Sequence, residues 1–163
     1  MAEISQSNNV VIPEELPIIA LKNTVLFPRV VIPIVVQRPK SMGALDFAMQ
    51  RDRMVLFITQ KNIEDTIDED DMFRVGTIGR ITSVFKLPDG SSRIEVEGLV
   101  RARIEAFTSR EPFFKARTES VVLRSDETHL EERALTRVVI DQFRKISEVK
   151  PFATPESYER GII

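Results

Sequence analysis

The feature that most constrains the fold is a pair of apolar runs near the start of the chain, Leu16 to Leu21 and Val30 to Val36. β-branched residues crowd both runs, which favours strands on a half-buried pleated surface over helices. A Phe27-Pro28-Arg29 corner separates the runs, and each run contains one proline, Pro17 or Pro33. Since proline has no N–H to donate to a ladder, each should lie at a strand start, an edge or a bulge. This opening therefore predicts a small, strongly bent sheet with an exposed edge.

The following residues continue the β pattern around one short helix. Ser41 is the predicted N-cap of a helix from Met42 to Arg51. The apolar run Met54 to Thr59 is bounded by charged residues and predicts a buried central strand. Leu87-Pro88-Asp89-Gly90 predicts a hairpin tip, because proline fixes one φ and glycine accepts a positive one. The next strand alternates in polarity, with these residues predicted to point inward: Ile94, Val96, Val100, Ala102 and Ile104.

Beyond residue 125 the pattern becomes helical. Thr128 and Glu131 form a capping box for a helix that should run to about Val149, and Pro155 is placed to begin a second helix. The chain ends soon afterwards on apolar residues, so we expect a fragment boundary there. The sequence thus predicts an α+β chain of three parts: a flexible arm over residues 1–15, a β-rich domain over 16–125, and the start of a helical bundle over 126–163.

Composition restricts the kinds of chemistry available. The 163 residues are 42% apolar with a net charge of −2 and no cysteine, so the chain can bury a core but offers no thiolate metal site. No run of apolar residues is long enough to span a membrane. No phosphate-binding loop motif is present, and no serine lies in a context that would activate it. We therefore expect no enzymatic activity, cofactor or metal in this fragment, with His129 a solvated residue at a helix start.

Two charged patterns leave alternatives open. Residues 61–72 hold a run of carboxylates between Glu64 and Asp71, but their spacing does not match a calcium loop, which favours a solvated mobile loop. Nucleic-acid binding is the other alternative, since several arginines share the outward side of one strand. Glutamates are interleaved with these arginines, and charges of both signs favour cross-strand ion pairs and not a stripe that binds phosphates. The residues concerned are Arg93, Glu95, Glu97, Arg101, Arg103 and Glu105.

Apolar residues at chain reversals are the candidate binding residues. Sheet alternation can bury only one of two adjacent phenylalanines, so part of this apolar surface should face solvent or a partner. The alternative is that these side chains fold over the open ends of a barrel as core. The first candidates are Phe85, Leu87, Phe113 and Phe114, and the second are Pro28 and Val30.

The order of short motifs resembles the N-terminal domain of Lon proteases, the ATP-dependent serine proteases. The likeness begins with Lys-Asn-Thr-Val-Leu-Phe-Pro at residues 22–28 and covers roughly residues 16–163. In that family the further blocks follow in the same order: Val31-Ile32-Pro33, Gln60-Lys61, Val75-Gly76-Thr77-Ile78, Leu87-Pro88-Asp89-Gly90, Val96-Glu97-Gly98-Leu99 and Arg101-Ala102-Arg103-Ile104. One departure is Arg29, where many relatives carry glycine, so the corner here is expected not to need a positive φ.

The resemblance implies a PUA-like bent sheet or small barrel that recognises exposed apolar segments of unfolded, damaged or regulatory proteins. It also implies a cytoplasmic homohexamer in which ATP and Mg²⁺ belong to an ATPase module and a Ser-Lys dyad to a protease module, both outside this fragment. Two rival functions remain at this point. One is a stand-alone binding protein that resembles the Lon domain, and the other is a nucleic-acid-binding module.

Overall fold

A computed structural model describes residues 11–121 and 130–149, and the chain divides into two compact units, 1–121 and 122–163. The first unit contains six strands and helix α1, Pro39–Met49, with a short 3₁₀ turn at Glu69–Asp71. The strands are β1 (Glu15–Leu21), β2 (Val31–Val36), β3 (Met54–Thr59), β4 (Val75–Lys86), β5 (Ser92–Ser109) and β6 (Lys115–Ser120). In the second unit, helix α2 spans Leu130–Val149. No helix in the described ranges is long and apolar enough to cross a membrane.

The strands form one bent, mixed sheet. Its order is β2-β5-β4-β3-β1-β6, and β6 also pairs with β5, so the sheet curls back on itself. β1 and β3 run parallel, whereas the other described pairs are antiparallel. The predicted α+β class with a bent, mostly antiparallel sheet is confirmed, although β2 lies outside the closed part and the result is not a regular barrel. The Thr128 cap and the predicted helix at Pro155 lie outside the described residues.

Both faces of the central strands are buried, so the domain has two apolar clusters. In the first cluster, Ile19 of β1 and Phe57 of β3 pack against one side of α1 through Ala44 and Leu45. The second cluster lies on the other face and contains Ile18, Leu56, Ile58, Ile78 and Ile104, with Met72 fully buried beside them. The uninterrupted apolar run of β3 is explained by this arrangement, because a strand covered on both faces has no solvent side. Its prediction as a buried central strand is confirmed.

The long strand β5 supplies both clusters because its register shifts midway. Ile94 and Val96 belong to the first cluster, whereas Ala102 and Ile104 belong to the second. Between the two halves, Ile78 of β4 pairs with Val100 and Gly79 pairs with Gly98, so Leu99 of β5 is the extra residue of a β-bulge. The inward alternation predicted for this strand is confirmed, with Val100 half-buried against the second cluster.

The first corner packs directly onto the backbone of β5. Arg29 N donates to Gly98 O at 2.8 Å, and Gly98 N donates to Val30 O at 2.9 Å. A Cβ at position 98 would lie 2.1 Å from the carbonyl oxygen of Phe27, so glycine is required for this close approach. The expectation that the corner needs no positive φ is wrong, because Arg29 has a φ of +65°.

Two local predictions also require correction. Helix α1 begins at Pro39 after an extended Arg38, and Ser41 lies buried inside the helix and not at its cap. Proline's fixed φ suits the first helical position, and this signal outweighs the serine. The expected final strand, Phe113 to Leu123, is in fact β6, which begins two residues later at Lys115.

The acidic segment 61–72 is less open than its charge indicates. Asn62 Nδ2 donates to Asp71 Oδ1 at 2.9 Å, and Lys61 N donates to Asp71 O at 2.7 Å. Asp68 and Asp71 form a capping box around the 3₁₀ turn, and buried Met72 anchors the end of the segment. The acidic side chains remain solvated as predicted, since Glu64, Asp65, Asp68 and Asp70 are exposed. The correction concerns the second half of the segment, where local carboxylate hydrogen bonds and the buried Met72 give the backbone a defined 3₁₀ turn.

The positive φ at Arg29 leads to a test of the corner. Arg29→Gly and Arg29→Val both remove the guanidinium group, but only glycine adopts this backbone conformation without strain. We expect the valine variant to have a free energy of unfolding lower than that of the glycine variant by about 1 kcal/mol or more, measured by urea denaturation. Equal free energies in the two variants would show that the corner does not hold residue 29 in the left-handed region.

Candidate functional site

Phe113 and Phe114 are both core residues. Their exposed fractions are only 7% and 3%, so the expectation that one of them faces solvent is wrong. Phe113 belongs to the first cluster, where its ring lies 5.3 Å from that of Phe47, and Phe114 belongs to the second, 6.2 Å from Phe107. Adjacent side chains do point to opposite faces, as predicted, but both faces are covered here. These two residues therefore contribute very little surface to solvent.

The other four candidates remain at the surface to different degrees. Phe85 is 57% exposed, whereas Leu87, Pro28 and Val30 are half-buried. The hairpin beside Phe85 is confirmed: Leu87 N donates to Ser91 O at 2.9 Å, and Gly90 has a φ of +85°. Of the predicted residues, Phe85 has the largest apolar surface open to a partner.

Phe85 lies on an apolar surface that the sequence patterns did not identify. Val35 of β2 pairs with Arg93 of β5, and Arg93 pairs in turn with Phe85 of β4, so the three side chains lie in one row on the same side of the sheet. Val31 and Pro33 precede Val35 on this side of the edge strand, and Val31 is 56% exposed. We call this surface, made of Val31, Pro33, Val35 and Phe85, the outer face.

A polar row divides the outer face. Arg93, Glu95 and Glu97 of β5 lie between the apolar residues of β2 and Phe85 of β4. Ser83 Oγ donates to Glu95 Oε2 at 2.9 Å, which holds one of these carboxylates over the sheet. The outer face therefore offers apolar contacts beside charges of both signs. Such a surface does not strongly favour either anionic or cationic partners.

The sequence contained a signal for the outer face. Pro33 predicts an edge strand, and alternation along β2 then sends Val31 and Val35 to the side opposite Ile32 and Ile34, which pack against the first cluster. The run of valine and isoleucine concealed this division, because both sides of the strand are apolar. Three further exposed residues, Val25, Phe27 and Val75, line a shallow cavity of about 70 Å³ beside Arg101.

A cleft of about 240 Å³ separates β1 from β2 and contains the charged residues Lys22, Arg38 and Asp65. Arg38 Nη2 donates to Ala20 O at 2.6 Å, while its Nη1 is buried and has no hydrogen-bond partner in the described part of the chain. Asp65 accepts a hydrogen bond from Lys22 Nζ and forms an ion pair with it. We call this the charged cleft.

The charges in this cleft influence one another. Burial lowers the pKa of Arg38, and the negative charge of Asp65 opposes that shift. The hydrogen bond from Lys22 and its positive charge lower the pKa of Asp65, and Arg38 adds to the effect. Asp65 is therefore ionised at neutral pH, beside the guanidinium cation of Arg38.

A second cleft of about 300 Å³ adjoins the charged cleft and shares with it Ala20, Arg38, Ser41 and Asp65. Its other walls are mainly apolar and come from Ile18, Pro39, Ile67 and Phe114, together with Lys40 and Thr66. We call this the apolar cleft. Within residues 11–121 and 130–149, no group of three histidine, cysteine, aspartate or glutamate side chains is placed to hold a metal ion.

Comparison with known proteins identifies the family. Residues 15–161 match the family model described as the ATP-dependent protease La (LON) substrate-binding domain. The chain belongs to this family. The Lon protease of Trichlorobacter lovleyi is 40% identical over 146 residues, which cover 89% of this chain and 18% of that protein. The Lon protease of Escherichia coli K12 is 36% identical over 145 residues, or 87% of this chain and 18% of that protein.

Solved structures support the fold of this Lon domain. The N-terminal domain of the Mycobacterium avium complex Lon protease has a TM-score of 0.59 at 23% identity, covering 85% of this chain and 73% of that one. A Lon N-terminal domain protein from Xanthomonas campestris also has a TM-score of 0.59, at 19% identity, covering 78% of this chain and 72% of that one. The resemblance to Lon that the sequence motifs indicated is confirmed, and the chain spans about a fifth of the length of its Lon protease relatives.

The difference in burial between Phe113 and Phe85 should produce different losses of folding stability when each side chain is truncated. Phe113→Ala removes a buried ring from the Lon domain and should lower the free energy of unfolding by about 3–5 kcal/mol. Phe85→Ala, at an exposed site, should lower it by less than about 1 kcal/mol. Chemical denaturation of both variants measures the difference. Similar losses in the two variants would contradict the assignment of Phe113 to the core and Phe85 to the surface.

Proposed function

We propose that this Lon substrate-binding domain captures exposed apolar segments of unfolded or damaged proteins for an ATP-dependent serine protease. The observation that carries the proposal is the outer face, where Val31, Val35 and Phe85 present apolar side chains from strands on either side of β5. The family description as a substrate-binding domain supports it. The mixed charges of the polar row favour this function over nucleic-acid binding, which requires an excess of cations.

The construction of the outer face suits clients of many sequences. Unfolded proteins share exposed apolar side chains but not a fixed pattern of hydrogen bonds, so contact with them must be adaptable. The strands beneath the outer face are fixed by the first cluster, to which Ile94 and Val96 belong, so binding need not order the receptor. The small apolar area predicts weak binding to each single segment, which permits release to the rest of the protease.

The remaining activities of the whole protein are assigned to its other parts. We propose that ATP, Mg²⁺ and the serine nucleophile belong to modules outside this domain, in a cytoplasmic homohexamer. The family description as part of an ATP-dependent protease, and the chain's coverage of only 18% of its Lon protease relatives, support placing ATP use and proteolysis in other modules. Helix α2 supports a role in assembly, since Leu135, Val138 and Val139 are each more than half exposed on it.

A double variant of the outer face tests the proposal. Val31→Ser with Phe85→Ser should weaken binding to a denatured client protein by about tenfold, because two apolar contacts are lost. The thermal midpoint should change little, since both side chains are already exposed. Fluorescence anisotropy with a labelled, permanently denatured client measures the affinity. Ile63→Ser, at an exposed apolar residue of the acidic segment, is the matched control and should bind as the unchanged chain does.

Salt provides an independent readout of the same binding. Contact with phosphates weakens steeply as salt concentration rises, whereas apolar contact does not. We therefore expect client affinity to be nearly constant from low to high salt. Full affinity in the double variant, or a steep loss of affinity with salt, would contradict capture by the outer face.

A further inference from the structure

The charged and apolar clefts form a second place where a client could bind. Arg38 is the central residue, because it lines both clefts and uses only Nη2 in a hydrogen bond to Ala20 O. Its Nη1 is buried without a hydrogen-bond partner among the residues described. A buried donor without an acceptor is unfavourable. Because Arg38 lines both clefts, its positive charge attracts a ligand oxygen there, and an oxygen that reached Nη1 would supply the missing acceptor.

The ligand that fits this donor is an anion. Lys22 and Arg38 place two positive charges beside the charged cleft, and Asp65 is the acid that balances them. Asp65 is exposed and lies on the acidic segment, so an incoming carboxylate can replace it beside Lys22 and Arg38 without disrupting the core. A planar carboxylate also matches the paired donors of a guanidinium group.

The adjoining apolar cleft specifies what the carboxylate is attached to. Ile18, Ile67 and Phe114 line it, and it meets the charged cleft at Arg38 and Ser41. The C-terminal residue of a polypeptide carries its α-carboxylate and its side chain on the same Cα, so one residue can enter both clefts. The side chain of an internal aspartate or glutamate instead ends in the carboxylate, so the apolar cleft must then be filled by another residue.

We infer that the two clefts bind the free C-terminus of a client polypeptide, with the α-carboxylate on Arg38 and a final apolar side chain in the apolar cleft. This inference rests on the proposed function, since it names a class of client for the same domain. It adds a positional preference that the outer face does not provide. Clients ending in an apolar residue with a free carboxylate would be bound at both places.

The experiment compares peptides by fluorescence anisotropy with the full 163-residue chain. One labelled peptide ends in leucine with a free carboxylate, a second is its C-terminal amide, and a third is an amide with an internal glutamate. We expect the free acid to bind at least about tenfold more tightly than either amide. The first amide loses the charge-assisted hydrogen bond, and the internal glutamate of the second cannot place an apolar side chain from the same residue in the apolar cleft. Equal affinity for the acid and its amide would overturn the inference, as would equal affinity for the peptide with the internal glutamate.

Variants of the clefts provide the second arm. Arg38→Met should abolish the preference for the free acid. Asp65→Asn should tighten binding of the free acid by about threefold, because the competing anion is removed from an exposed position that the fold does not need. Asp70→Asn makes the same charge change in the same segment outside the clefts and should have no effect. Identical affinities for Asp65→Asn and Asp70→Asn would overturn the inference even if Arg38→Met failed to fold.

The two proposals can fail separately. The Val31→Ser with Phe85→Ser variant changes neither cleft, so its effect on the denatured client reports on the outer face alone. If that variant loses client binding while the acid and amide peptides bind equally, the C-terminal inference is wrong and the proposed function stands. If the acid preference holds while the outer-face variant binds the client normally, capture by the outer face is wrong.

Discussion

The domain depends on one constraint, which is that the parallel pair β1 and β3 must be covered on both faces. Ile19 and Phe57 point into the first cluster, while Ile18 and Leu56 point into the second. Neither strand has a solvent side, so the rest of the unit must supply two separate covers. Helix α1 covers one face, and the curling of the sheet toward β6 covers the other.

This constraint determines where binding surfaces can occur. The central strands are fully used for the core, so only the outer part of the sheet can expose apolar side chains. There β2, the first half of β5 and the end of β4 have the first cluster on one side and solvent on the other. Val31, Val35 and Phe85 are exposed because they lie on the solvent side of these strands. The outer face thus exists because the outer strands are covered on one side only, whereas the central strands are covered on both. Its rigidity comes from the first cluster, which packs behind it.

The sequence predicted features that depend on neighbours along the chain. The β3 run, the Leu87 to Gly90 hairpin and the alternation of β5 were readable because each is set by local spacing. Features that depend on closure of the sheet were not readable. Phe113 and Phe114 are both buried because α1 lies on one side of them and the curled sheet on the other, and no local pattern reports that. The positive φ of Arg29 has the same origin, since it follows from the packing of the corner against Gly98, far along the chain.

Strand β2 connects the outer face to the charged cleft. Its outward side presents Val31, Pro33 and Val35, while the stretch from Pro33 to Val36 also forms one wall of that cleft. Pro33 interrupts the row of N–H donors on this edge strand, which limits uncontrolled pairing with other chains. The recognition that we propose at β2 would therefore depend on side chains and on Arg38 more than on a continuous ladder. A client whose terminus lay against Arg38 would pass along β2 onto the outer face. The same strand would then connect the directional hydrogen bond at Arg38 to the adaptable apolar contacts of the outer face.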